Sequence, residues 1–536
     1  MGFGARQVYT GRQEMGNMMN QLLRLGVFLG AVAFVGLTAI AKDSGVSYPP
    51  ILTPAALEVP RINGPSVFGV RPHAPFLYTI PATGERPVTF GADNLPAGLG
   101  VDPVTGRITG VLAAKGEYAV TLTARNAEGT AQKKFRIVAG DRIALTPPMG
   151  WNSWNCWAHA VDQEKVLRSA RALVASGLIN HGWSYVNIDD TWQGARGGKF
   201  GAIQGNAKFP NMKKLCDDLH AMGLKAGIYS SPWITTYAKF AGSSSDNPDG
   251  AWTQEMGTDK FWRIGKYSFA DQDARQWADW GIDYLKYDWM PNDVPSVRTM
   301  SQALRKTGRD IVFSLSNRAP FANAADFAQL AECWRTTGDI YDSWGRDNRN
   351  REWMDCVSEI GFSQDAWAPY GGPGHWNDPD MLVVGQVGWS ANLHPTKLTP
   401  DEQYAHISLW CLLSAPLLIG CDLERLDAFT LGLLTNDEVL AVDQDALGRQ
   451  AVRVATMSAI DVYRKELEDG GVALGFFNRG DTPQSASFDK LGRLGLKGRV
   501  HVRDLWRQTN LPDANGHLPV TVPPHGVMLA KLTAAK

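Results

Sequence analysis

Apolar and polar positions change period along this chain, and each change marks a different kind of element. A polar lead ending at Arg24 is followed by an apolar run, Leu25 to Ile40, which closes on Ala39-Ile40-Ala41 before Lys42. A basic lead, an apolar run and a small-x-small ending are the layout of a signal peptide, and the run is short for a membrane span. Residues 1–41 are therefore expected to be an export signal outside the fold, with Met18 or Met19 as an alternative start and a retained anchor as the alternative reading. Residues 42–55, rich in Pro, Ser and Gly, predict a linker. Residues 56–140 alternate with period two, as in Phe76–Ile80 and Tyr118–Ala124, between Gly, Pro and Asn turns, which predicts a small β-sandwich.

From 144 to 445 strand-like and helix-like stretches alternate. Predicted strands are Tyr185–Asp190, Lys225–Ser230, Tyr284–Asp288, Ile311–Ser316, Trp334–Asp339, Asp380–Val384 and Leu417–Cys421. In Asp162–Ser176, Val166, Leu167, Ala170, Leu173 and Val174 recur at helical spacing. About eight such β/α units predict a (β/α)₈ barrel. The absence of GxGxxG after the first strand argues against a dinucleotide fold. Residues 447–536 return to short strands and predict a C-terminal antiparallel sandwich.

Charge excludes some functions. With 53 basic and 54 acidic residues the net charge is -1, so there is no electrostatic footprint for nucleic acid or for an anionic membrane. The six Cys show no CxxC or Cys/His spacing, which argues against structural zinc; export would permit disulfides of unspecified pairing. Nineteen Trp is a high count that leans mildly towards carbohydrate, since flat aromatic faces stack on sugars, although filling cores and lining pockets is the commoner use of Trp.

In a barrel the chemistry sits at the C-terminal strand ends. Here those ends carry aspartates: Asp189 and Asp190, Asp288, Asp339, and Asp378 with Asp380. One such Asp is commonly a helix cap. Four Asp-bearing ends, several beside Trp192, Trp289 or Trp376, exceed what capping explains. Clustered carboxylates serve metal-assisted or glycoside hydrolysis. No HxH or HExxH supports zinc, and no phosphate loop supports magnesium chemistry, whereas glycoside hydrolysis needs one carboxylate as nucleophile or base and another as acid.

Specific motifs occur in order: Pro147-Pro148-Met149-Gly150-Trp151-Asn152-Ser153-Trp154, Ile188-Asp189-Asp190-Thr191-Trp192, Leu285-Lys286-Tyr287-Asp288, Trp334-Arg335-Thr336-Thr337-Gly338-Asp339, and Gly374-His375-Trp376-Asn377-Asp378-Pro379-Asp380-Met381-Leu382. Over residues 144–536 the chain resembles glycoside hydrolase family 27, the melibiase-type α-galactosidases and α-N-acetylgalactosaminidases. The stretch Leu95 to Tyr118 resembles the Ig-like, cadherin-like domains of bacterial surface proteins, usually spacers. The family resemblance implies a retaining exo-glycosidase acting on terminal α-galactosyl residues of a glycan, with no cofactor and no metal. It implies Asp288 as nucleophile and Asp339 as general acid and base. Substrate contacts are expected from Trp154, Asp189, Asp190, Tyr229, Lys286, Ser316, Arg335 and Asp380, with Asp378 and Asp380 orienting the site and His375 an ordinary loop residue. Lys286, two residues before Asp288 on one strand face, is expected to hold it ionised.

The chain departs from the family at Leu315-Ser316-Asn317-Arg318-Ala319-Pro320, where many α-galactosidases carry a Cys-Glu-Trp-like segment. Small Ser316 and Ala319 resemble the acetamido-accepting loop, which makes α-N-acetylgalactosaminidase the alternative. β-L-Arabinopyranosidase and a non-catalytic carbohydrate-binding protein are further readings. The family's frequent disulfide just after the nucleophile is not expected, because Trp289-Met290 follow Asp288.

Overall fold

A computed structural model describes residues 50–346, 354–389, 392–496 and 498–535. The expected export signal and residues 42–49 of the expected linker lie outside the described residues.

The described chain is three layers of packing, each with its own core. Two sheets, one of Val67–Val70, Thr130–Ala139, Gly116–Arg125 and Thr89–Asp93 and one of Pro75–Thr79, Arg107–Val111 and Leu99–Val101, close over Phe76, Ile108, Leu122, Phe135 and Ile137. The period-two alternation of Gly116–Arg125 is what turns its apolar side chains onto that core.

Eight parallel strands then form the barrel sheet: β1 (Met149–Asn152), β2 (Tyr185–Asn187), β3 (Lys225–Ser230), β4 (Tyr284–Asp288), β5 (Val312–Ser316), β6 (Cys333–Arg335), β7 (Trp376–Asp378) and β8 (Leu417–Ile419). β1 pairs with both β2 and β8. The seam between β7 and β8 is closed beyond the end of β7, where Leu382 N–H donates to Leu418 O (2.8 Å) and Gly420 N–H to Leu382 O (3.0 Å).

Three expected strands end earlier than their hydrophobic pattern suggests. β2 stops at Asn187, so Asp189 and Asp190 lie past its end. β6 stops at Arg335, and Asp339 opens a separate strand, Asp339–Tyr341, paired in parallel with Met354–Cys356. The seventh strand is Trp376–Asp378 rather than Asp380–Val384, because Asp380 takes a positive φ of 80° and the apolar residues after it pack as a loop beside β8. The helix over Gln163–Ala175 is capped by Asp162, whose side chain accepts Lys165 N–H.

The C-terminal sheet, Val452–Met457, Ile460–Glu466, Val472–Asn478, Val527–Ala534, Arg499–Asp504 and Thr509–Asn515, is faced by the pair Gln484–Phe488 and Leu518–Val522. It packs on the barrel helix Pro400–Leu413, which is buried on every side from Glu402 onward. Among the described residues no helix is long and apolar enough to cross a membrane.

Two expectations change here. The Ig-like layer is not a free spacer, because it is bolted to the N-terminal ends of the barrel strands. Arg71 bridges Asp310 and Glu332, just before β5 and β6 (both 3.2 Å). The Thr79 hydroxyl donates to Gly223 O (2.8 Å), Arg107 to Ala221 O (2.8 Å), and Asn63 to Asn180 O (2.9 Å). Nor are residues 50–53 a free linker. Leu52 N–H donates to the Tyr404 hydroxyl (2.9 Å) and the Thr53 hydroxyl to Gly432 O (2.7 Å), tying this segment to barrel helices. The Cys residues are all buried and free.

Burial raises the Asp310 and Glu332 carboxyls, and Arg71 opposes that rise. Removing the guanidinium leaves buried Glu332 and half-buried Asp310 without their cation. Arg71→Ala is therefore expected to cost about 2 kcal/mol and several degrees of Tm by calorimetry. An unchanged Tm would show that this contact does not hold the layers together.

Candidate active site

The site sits at the C-terminal mouth of the barrel, opposite the face that the Ig-like layer covers. Parallel register places its members side by side: Tyr229 opposite Lys286 across β3 and β4, and Asp288 opposite Ser316 across β4 and β5. Lys286 and Asp288 are two apart on β4 and share the inward face.

None of the six strand-end aspartates caps the helix that follows it. The cap of the helix after β4 is Asp293, which accepts Ser296 N–H (2.8 Å), so Asp288 is released from that duty. Asp288 is 8% exposed. Its Oδ2 accepts the Tyr229 hydroxyl (2.9 Å), while its Oδ1 is buried with no protein partner. Burial is the main force raising its carboxyl to about 7; Lys286 and the Tyr229 bond pull it down, and the Asp339 charge pushes it up.

Asp189 is fixed from several sides. Its Oδ2 accepts Lys286 Nζ (2.8 Å) and Asn152 Nδ2 (2.9 Å), its Oδ1 accepts Asp190 N–H (2.9 Å), and its own N–H donates to the Ser153 hydroxyl (2.9 Å). Burial works against the Lys286 charge, but Asp189, Asp288 and Asp339 outweigh it and hold the ammonium protonated. Asp190 accepts Thr191 N–H (2.7 Å), the Thr236 hydroxyl (2.9 Å) and Ala238 N–H (2.9 Å), and burial raises it to about 6. A carboxylate offers about four acceptor positions. Three are taken on each of these two aspartates.

Arg335, ending β6, is buried and anchors the other wall. Its Nη2 meets Asp380 Oδ2 (2.8 Å) and Asp339 Oδ1 (3.2 Å). Burial opposes its charge, and Asp380, Asp339 and Asp378 overcome that. Asp380 also accepts Ile340 N–H (2.8 Å), so it positions both Arg335 and the segment carrying Asp339. Asp378 Oδ1 accepts Asp380 N–H (2.7 Å), and burial raises Asp378 to about 6. Asp339 is the open member, its side chain 37% exposed. His375 is bonded to Tyr370 O in the loop before β7.

The structure thus brings together Asp288, Asp339, Asp189, Asp190, Tyr229, Lys286, Ser316, Arg335 and Asp380. Ser316 is buried at the end of β5. Trp154 is half-buried, opens the short helix Trp154–Trp157, and lies edge-tilted against Trp389 (5.8 Å). Sequence reasoning gave no role to Asn152, Tyr237 or Asn317. Asn152 lies inside a quoted motif, and its spacing from Trp154 was a usable signal; Asn317 was noted only as loop. The place of Tyr237 depends on a loop path that no periodicity encodes. Among the described residues no group of three His, Cys, Asp or Glu side chains has a metal-holding arrangement.

Comparison with known proteins gives matches to the family Alpha galactosidase A over residues 146–262 and 253–445, to the Alpha galactosidase C-terminal beta sandwich domain over 458–532, and to an Ig domain family over 59–140. Alpha-galactosidase 2 of Arabidopsis thaliana is 36% identical over 75% of this chain and 93% of its own length. Alpha-galactosidase A of Cellvibrio japonicus is 36% identical over 73% and 93%. A crystal structure from Bacteroides fragilis described as a "putative alpha-galactosidase" is 34% identical and superposes with a TM-score of 0.80 over 89% of this chain and 98% of that chain.

The Asp288 carboxyl is expected to titrate near neutrality in a ¹³C NMR titration, its resonance identified by its loss in Asp288→Asn. Lys286→Met removes the cation that lowers it, so the midpoint should rise by about one pH unit or more. A midpoint unmoved by that change would remove Lys286 from the control of Asp288.

Proposed function

Because the chain belongs to the alpha galactosidase A family, glycoside hydrolase family 27, we propose that it hydrolyses terminal non-reducing α-D-galactosyl residues with Asp288 as nucleophile and Asp339 as general acid and base. The observation that carries this reading is the buried, unpartnered Oδ1 of Asp288, within the field of a second, more open carboxylate, Asp339. A nucleophile needs one lone pair free of hydrogen bonds and a defined direction, which the Tyr229 bond to Oδ2 supplies. A residue that protonates a leaving group and later receives water needs access, which the exposure of Asp339 provides.

In the first step Oδ1 attacks the anomeric carbon as the glycosidic C–O bond breaks, and Asp339 gives its proton to the departing oxygen. In the second, Asp339 takes a proton from water, which attacks the same carbon and releases Asp288. Two inversions retain the α configuration. Lys286 favours the ionised form of Asp288 against the effect of burial, and Arg335 offers hydrogen bonds near the 2-position. Asp189 and Asp190 each keep about one acceptor position for a sugar hydroxyl, which fits the 4- and 6-hydroxyls. Small, buried Ser316 and Ala319 favour a second reading in which a 2-acetamido group is accepted. The Leu25–Ile40 pattern supports export, which would place the substrate outside the cytoplasm.

Wild type is expected to hydrolyse p-nitrophenyl α-galactoside and to release α-galactose first in ¹H NMR. Asp288→Ala should lose roughly three orders of magnitude or more in kcat. Wild-type kcat/KM should fall as pH drops below the range where Asp288 ionises, near neutrality. Release of β-galactose first would overturn the retaining mechanism. Preference for the α-N-acetylgalactosaminide would establish the second reading, and activity on β-L-arabinopyranoside alone would replace both.

A further inference from the structure

Tyr237 lies in the loop after β3, between two residues that both bond the Asp190 carboxylate: the Thr236 hydroxyl and Ala238 N–H, each at 2.9 Å. Its ring packs edge-on to Trp233 (5.0 Å) and tilted against Trp262 (5.2 Å). Its hydroxyl accepts Asn317 Nδ2 at 2.9 Å, so a bond runs from the loop after β3 to the loop after β5, across β4 and its terminal Asp288. Burial first, then the charges of Asp288 and Asp339, hold the phenol protonated, which places it within the field of both carboxylates.

Asn317 is held for this contact. It and Arg318 take φ of 76° and 46°, an uncommon left-handed pair without glycine. The surroundings fix that geometry, since Arg318 N–H donates to Thr337 O (3.1 Å) and Ala319 N–H to Arg335 O (2.8 Å). The loop is thereby registered to the strand that presents Arg335. Ser316, the preceding residue, is small and buried, so no long side chain from the end of β5 fills this corner. The bridge also ties the two loops in a chain whose Cys residues are all free.

We propose that Tyr237 is a specificity-determining residue that donates its hydroxyl proton to the substituent at the sugar's 2-position, with Asn317 as its positioning partner. This rests on the α-galactosidase reading above. Because the Tyr237 oxygen accepts from Asn317, its own proton is left to donate, and it does so beside the anomeric carbon that Asp288 attacks. A hydrogen bond to the 2-hydroxyl that tightens as the oxocarbenium-like state forms contributes to the rate as well as to binding.

The test compares wild type, Tyr237→Phe and Asn317→Ala on p-nitrophenyl α-galactoside and on its 2-deoxy analogue, with Tm measured for each protein. Tyr237→Phe keeps the ring against Trp233 and Trp262 and removes only the hydroxyl. Its kcat/KM should fall about tenfold or more on the galactoside and stay within about twofold of wild type on the 2-deoxy substrate. Asn317→Ala should show the same substrate dependence with a smaller loss. Equal loss on both substrates, or no loss on either, would overturn the proposal while leaving the α-galactosidase reading intact. A wild type inactive on both would overturn the two together.

Discussion

Two buried cations, Lys286 and Arg335, make the mouth of this barrel possible. Six aspartates converge there, and most are nearly inaccessible to solvent. So many carboxylates cannot ionise together at low dielectric without compensation. Lys286 compensates the wall made by β2 and β4, and Arg335 the wall made by β6 and β7. Backbone N–H groups at the strand ends neutralise part of the rest, as at Asp190 and Asp380. What compensation does not cover shows as raised carboxyls at Asp288, Asp190, Asp378 and Asp380.

Much of this was legible in the chain. The expected (β/α)₈ barrel between two β-layers is the observed one, because period-two and helical patterns are local and survive folding. The strand ends were less legible. Asp189, Asp339 and Asp380 were read as barrel-strand residues because apolar stretches adjoin them, yet each lies past the end of its barrel strand. A residue in a strand must point up or down in alternation, whereas Asp189 and Asp190 both turn into the site. Leaving the strand at Asn187, with Thr191 at a positive φ, is what permits that. The Tyr237–Asn317 contact had no local signal at all, since it joins residues 80 apart through two loops.

The Ig-like layer was legible as a fold, but its docking on the barrel was not, for a related reason. Its own strands follow from composition and turns, but docking is written in single residues such as Arg71, whose partners stand 239 and 261 positions away. Its attachment at the N-terminal strand ends leaves the opposite mouth open. Stability is thereby concentrated on one face of the barrel and chemistry on the other, the division expected when strand-end loops are committed to substrate.

On the proposed reading, selectivity follows from the hydrogen-bond accounting at Asp189 and Asp190. Each has three internal donors and about one acceptor position to spare. The pair is therefore nearly saturated before substrate arrives, and its side chains cannot turn without breaking several bonds. On that reading a sugar whose 4-hydroxyl points elsewhere finds no adaptable partner and leaves one acceptor position of a buried carboxylate unfilled. That penalty is larger than the gain from any single new contact. A rigid, almost satisfied pair of acceptors distinguishes epimers better than a flexible, unsatisfied pair, because it offers one geometry only. The same bonds that freeze Asp190 also hold the loop bearing Tyr237. The proposed acceptors for one edge of the sugar and the proposed Tyr237 donor for another are thus tied together by a single carboxylate.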